Sequence, residues 1–145
     1  MPHTCLVVCD DEVFESMRVL LQSDKRALFH APTGAAALRW LASRRGATIV
    51  IADLPLADMS GGELVESVRS DGALGRSVAV VCLVPSAARV PLRAFRVVLK
   101  PAPARRLIAA IDDARRQLAA WGAASPHCAL DRYLTWRSRR PGDLS

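Results

Sequence analysis

The chain has 145 residues, 51% of them hydrophobic, and a formal net charge of +6, which suits one domain of ordinary size with a real apolar core. No apolar stretch reaches the roughly 18–20 residues that span a bilayer, and the first apolar run passes straight into acids rather than into a small-residue cleavage site. A membrane protein is thereby disfavoured, and a cytoplasmic location is expected.

The first apolar run, Cys5-Leu-Val-Val-Cys9, reads as a strand and ends in Asp10-Asp11-Glu12. Val13, Phe14, Met17, Leu20 and Leu21 then recur at helical spacing and predict one apolar stripe. Ala27–Ala31 reads as a second strand, and Thr33 as the N-cap of an alanine-rich helix carrying Leu38 and Leu41 as far as Gly46. The β-branched run Thr48-Ile-Val-Ile-Ala52 predicts a third strand, ending at Asp53. Gly61-Gly62 allows a tight turn into a helix whose Leu64, Val65 and Val68 face the sheet while Glu63, Glu66 and Arg69 face water. Val78–Val84 is apolar throughout, as a strand covered on both faces must be.

Only Pro85–Ala94 separates that strand from the next, Phe95–Leu99, and Pro91 cannot sit inside a regular helix, so the helix expected there is short or irregular. Beyond Lys100-Pro101, Leu107, Ile108, Ile111 and Leu118 predict a long last helix, with Asp112 and Arg116 placed for an i,i+4 pair. The alternation of strands and helices implies an α/β fold, a doubly wound five-stranded parallel sheet with right-handed crossovers. Residues 1–121 form the expected domain. Residues 122–145 open on Gly-Ala-Ala-Ser-Pro, a helix breaker, and make a basic tail, partly helical or disordered. Much of the positive charge lies toward that end, since residues 101–145 hold eight Arg against four Asp. Cys5, Cys9, Cys82 and Cys128 include no C-x-x-C pair, so inert buried thiols are expected rather than a zinc site or a disulfide framework.

Three strands thus end in acids, in Asp53 and in Lys100. The carboxyl ends of parallel strands share one edge, where ligands bind. Clustered carboxylates are hard oxygen donors suited to Mg²⁺, and a lysine ammonium neutralises a phosphoryl oxygen. The chain has 18 Arg and two Lys, so a lysine at position 100 reflects chemistry rather than composition.

The ordered set of an acidic cluster after the first strand, Ala31-Pro-Thr-Gly34, Asp53 with Met59-Ser60-Gly61 behind it, and Lys100-Pro101 resembles the receiver domain of two-component response regulators, the CheY-like branch of the flavodoxin-like folds. The resemblance covers roughly residues 4–121. It implies that Asp53 is the phosphoacceptor, assisted by Lys100, and that Mg²⁺ is held by Asp10, Asp53 and the backbone carbonyl of Pro55, with Asp11 a further candidate. A cis Lys100–Pro101 bond is also implied.

The sequence departs from the family pattern in three places. Cys9 stands where the first of two acids is usual, Val84 where a Ser or Thr receives the phosphoryl oxygen, and Val97 where an aromatic switch residue sits. Ser86 lies two residues beyond the usual hydroxyl position. Valine donates no hydrogen bond to a phosphate, so an atypical output is expected.

The expected function is a phosphoryl-accepting signalling protein, not a turnover enzyme. Its partners would be a sensor histidine kinase or phosphotransfer protein and a downstream protein, and residues 122–145 are too few for a DNA-binding module. A second expectation is a degenerate receiver acting as a phosphorylation-independent interaction or homodimerisation module. A third places a cyclic dinucleotide on Trp136, Arg137, Arg139 and Arg140, where a stacking surface meets guanidinium forks.

Overall fold

Runs rich in Val, Ile and Leu become the five strands β1 (His3–Val8), β2 (Arg26–Ala31), β3 (Thr48–Asp53), β4 (Val78–Val84) and β5 (Arg96–Leu99). The structure, a computed structural model, describes residues 3–44, 46–86, 90–91 and 93–124, the last three as backbone only. All strands pair in parallel in the order β2-β1-β3-β4-β5. That is the expected doubly wound α/β sheet.

The helices are α1 (Asp11–Leu21), α2 (Gly34–Ala42), α3 (Gly61–Ser70), α4 (Leu74–Ser77) and α5 (Ala104–Ala124). Successive strand residues point to opposite faces, and the core divides accordingly. Cys5, Val7, Cys9, Ile49 and Ile51 pack with Met17 and Leu21 of α1 and Leu107 and Ile111 of α5. Leu6, Val8, Val50 and Ala52 pack with Leu41 of α2 and Leu64, Val65 and Val68 of α3. The starts of α1, α2 and α3 are capped by side chains: Asp10 accepts from Val13 N at 2.8 Å, Thr33 from Ala36 N at 3.0 Å, and Ser60 forms a reciprocal box with Glu63.

Several expectations are corrected. Leu20 does not join the buried stripe of α1, being 43% exposed. Arg69 faces water only in part: its Nε donates to Arg93 O and a terminal nitrogen to Gly75 O, both at 3.2 Å, and its guanidinium lies 5.1 Å from the Trp121 ring centroid. Arg116 pairs with Asp113, one residue along from the expected Asp112. Asp113 is also reached by Arg96, at 3.7 Å. Helix α5 continues through Gly122 to Ala124, three residues into the expected breaker. Packing of Trp121 against Phe95 anchors this last turn. The single turn α4 was not expected at all.

Among the described residues no helix lies between β4 and β5. Pro91 is buried there, and Phe95 N donates to Val80 O at 2.8 Å to bring the chain back into the sheet. Cys5, Cys9 and Cys82 are free and buried, whereas Cys128 lies outside the described residues.

Candidate functional site

The strand register sets the site. Asp53 is level with Leu83, one step beyond the Val8–Ala52 pair, while Val84 faces Leu99 and Lys100 follows. Asp53 shares the side-chain parity of Ile49 and Ile51, so its carboxylate emerges on the α1–α5 side of the sheet edge. Lys100 Nζ reaches across to it, donating to Asp53 Oδ1 at 2.9 Å and to the Leu54 carbonyl at 2.5 Å. Both side chains are largely but not wholly covered, with 29% of the lysine and 19% of the aspartate exposed. Backbone bonds hold the frame: Lys100 N donates to Val84 O and Leu54 N to Leu83 O. The Lys100–Pro101 bond is cis, as is Leu54–Pro55.

Asp10 lies at the same edge as the N-cap of α1, with Oδ1 bound to Val13 N and the carboxylate exposed. The Cys9 thiol is the common neighbour of the acids. Burial pushes its pKa up to about 12, and the negative charges of Asp53, Asp10 and Asp11 add to the effect. It is therefore a neutral thiol at ordinary pH, a poor ligand for a hard cation. Asp11 turns elsewhere, its Oδ1 lying 3.7 Å from His30 Nδ1. The opposite ring nitrogen of His30 is 2.7 Å from the Cys9 carbonyl, and Phe14 stacks on the ring. Among the described residues, no three acid, histidine or cysteine side chains are grouped closely enough to hold a metal ion. Of the donors that the resemblance implies, Asp10, Asp53 and the Pro55 carbonyl, two are side-chain carboxylates at this edge.

Val84 is buried in the face packed by α2 and α3, and Val97 packs partly against the same cluster. Neither offers a polar group. Trp136, Arg137, Arg139 and Arg140 lie outside the described residues.

Sequence reasoning passed over two participants. Asp58 accepts from Gly34 N at 2.8 Å and Ala35 N at 2.9 Å, tying the loop after β3 to the start of α2. These amide bonds, that from Ala35 first, lower its pKa. The Leu54 carbonyl, which holds the lysine, is likewise a partner only the folded chain supplies. Met59 locks the same loop by lying where a side chain on Gly34 would stand: a Cβ there would meet its sulfur at 2.5 Å. On the α1–α5 side, Ser16, Met17, Leu20, Pro101, Ala102 and Leu107 wall a cleft of about 460 Å³ that contains Asp53 and Lys100.

Solved structures share this architecture. The signal receiver domain of an HD domain-containing protein from Pseudomonas fluorescens Pf-5 is 22% identical, with a TM-score of 0.70 over 82% of this chain and 90% of that one. A CheY-like response regulator receiver domain from Methylobacillus flagellatus is 21% identical, with a TM-score of 0.70 over 79% and 99%. The chain has the receiver-domain fold. A response regulator receiver domain protein from Clostridium thermocellum gives the same answer at 20% identity and a TM-score of 0.69 over 82% and 99%. No protein-family model and no curated protein matches the sequence. The likeness therefore carries the receiver fold, and the chemistry rests on the residues at the sheet edge. No described helix is long and apolar enough to cross a membrane.

Proposed function

We propose that the chain is a signal receiver of the two-component type that accepts a phosphoryl group on Asp53. The observation that carries this reading is the Lys100 ammonium, 2.9 Å from Asp53 Oδ1 and fixed by the Leu54 carbonyl at the carboxyl edge of the sheet. With Oδ1 so engaged, the other carboxylate oxygen attacks phosphorus in a phosphohistidine or small acyl phosphate. The new O–P bond forms as the N–P or acyl O–P bond breaks, and the electron pair leaves on the donor's nitrogen or oxygen. The lysine stays in place to offset charge on the phosphoryl oxygens.

The donor set fits Mg²⁺, which takes one or two carboxylates, phosphate oxygens and waters rather than a closed protein cage. Asp10, Asp53 and the Pro55 carbonyl would hold it, and it would supply charge neutralisation at the phosphoryl group. The phosphodonor would be a sensor kinase or phosphotransfer protein. The apolar cleft beside Asp53 and the exposed Val19 and Leu20 of α1 suit protein docking there. The product stays on the protein, so the chain is an acceptor rather than a turnover enzyme, and a downstream protein reads it.

Incubation with Mg²⁺ and a small acyl phosphate tests the reading: one added phosphoryl group by intact mass is expected, and none in Asp53→Asn. An unmodified wild-type mass would leave the second reading, a phosphorylation-independent interaction or homodimerisation module, which the neutral Cys9 thiol and the apolar Val84 and Val97 favour. The third reading, cyclic-dinucleotide binding by the tail, lies outside the described residues.

A further inference from the structure

The sequence from Lys25 to Ala52 carries basic residues and no acid. It folds into β2, the edge strand of the sheet, and α2, which packs against it, before entering β3. One side of the molecule therefore presents Lys25, Arg39 and Arg44, all exposed, and none of the three forms an ion pair among the described residues.

Two aromatic rings lie on the same side. Phe29 of β2 and Trp40 of α2 are half-buried, with ring centroids 5.2 Å apart. The Arg44 guanidinium stands 4.6 Å from the Trp40 centroid and 5.0 Å from that of Phe29, and it reaches the Thr4 hydroxyl at 3.4 Å. Arg44 also lines a cleft of about 610 Å³ between the end of α2 and the single turn α4, which contributes Arg76 and Ser77. Arg76 likewise has no ion pair among the described residues. The acid in the lining is Asp71, whose Oδ1 is already taken by Ala73 N and Leu74 N, both at 3.0 Å. Gly46 and Ser77, in the cleft wall, lie just before β3 and β4, so the cleft sits at the amino edge of the sheet, opposite Asp53.

We propose that this side binds single-stranded nucleic acid, with a base stacked on Arg44 and its two rings and a neighbouring phosphate between Arg44 and Arg76. Unpaired arginines along an acid-free side suit a polyanion, whose phosphates displace counterions on binding. A guanidinium backed by aromatic rings offers a stacking surface, which unpaired bases can use and an acidic polypeptide or a duplex cannot. The cleft has the volume of a small-ligand site, enough for one nucleotide. A strand held there leaves Asp53 open at the other edge.

Binding of a short labelled DNA strand of mixed sequence to the full-length protein, followed by anisotropy between about 50 and 200 mM salt, tests the proposal. Arg44→Lys keeps the charge and loses the planar fork, so affinity is expected to fall about tenfold with the salt slope unchanged. Arg76→Gln is expected to lower the slope by about 0.7, the share of one phosphate on a single strand. A strand carrying 5-iodouracil should crosslink to Phe29 or Trp40 of the unsubstituted protein, a readout independent of any variant's folding. No binding at about 50 mM salt, wild-type behaviour of both variants, or crosslinks only outside β2 and α2 would overturn the proposal. Displacement by polyglutamate as readily as by unlabelled strand would overturn it in favour of an acidic protein. Binding lost in the triple variant Arg137→Gln, Arg139→Gln, Arg140→Gln but kept in Arg44→Lys would overturn it in favour of the basic tail.

Discussion

Replacing Lys100 by Met keeps the apolar stem and removes the ammonium, so it isolates what that charge does. Two consequences follow from its two bonds. The Leu54 carbonyl loses its donor at 2.5 Å in a residue only 6% exposed, and leaving such a group unpaired costs about 1–3 kcal/mol. Asp53 is less dependent, because its carboxylate is partly open to water. A net loss of about 1–2 kcal/mol in a urea titration is expected. The rate effect is larger. A unit charge about 4 Å from a phosphoryl oxygen, at an effective dielectric near 20, is worth about 4 kcal/mol. Removing one fixed charge or donor of this kind slows reactions by about 10²–10³-fold. Acyl-phosphate labelling of Lys100→Met in saturating Mg²⁺, followed by intact mass over time, should therefore fall by about 10²–10³ while the protein stays folded. Labelling within threefold of wild type would refute the role given to the lysine.

Cys9→Asp replaces a neutral thiol by a carboxylate beside Asp53, Asp10 and Asp11; it should lower the Mg²⁺ concentration for half-maximal labelling by about tenfold and destabilise the metal-free protein through like-charge repulsion. An unchanged Mg²⁺ dependence would place Cys9 outside the cation's reach. Asp58→Asn should destabilise the fold above pH 4, because the wild-type carboxylate has its pKa lowered below 3.8 by amide bonds from α2. A depressed pKa gives stability that is present above the unfolded value and lost as pH falls through the folded one, so the two unfolding curves should converge in acid. In alkali the raised thiols act oppositely: Cys9 and Cys82 are pushed up to about 12 and Cys5 to about 11, so stability should decline as pH rises beyond about 9, where only the unfolded chain ionises. Beryllofluoride with Mg²⁺ should leave amide exchange around Val84 and Val97 little changed, a coupling of at most about 1 kcal/mol against the usual 1–3; strong protection spreading through residues 85–100 would mean another group has taken over the switch.

The strands were legible because β1, β3 and β4 carry long apolar runs ended by a charge or a turn residue, and β2 and β5 are short runs broken only by His30 and Arg96; Asp53 and Lys100 were legible because a parallel sheet sends strand ends to one edge. What escaped depends on contacts between segments far apart in the chain. Asp58 reads as one more acid in a loop until α2 presents two amides 23 and 24 residues away. Arg69 falls on the polar side of its helix by periodicity, yet Trp121 and two carbonyls cover part of it. Leu20 completes an apolar stripe by spacing alone, but it lies in the wall of the cleft beside Asp53, where no element covers it fully. Helix α4 is a single turn without a side-chain cap, too short to leave a periodic pattern. The Ser60–Glu63 capping box, by contrast, stands in the sequence as Ser-x-x-Glu and could have been read there.

The central claim is that Asp53 carries the phosphoryl group, and the most direct measurement is chemical trapping of the site. Borohydride reduces an aspartyl phosphate to homoserine, which survives proteolysis and mass mapping. After acyl-phosphate treatment in Mg²⁺, homoserine should be found at position 53 and should be lost in Asp53→Asn. Homoserine at position 10 or 58, or at no position, would contradict the account.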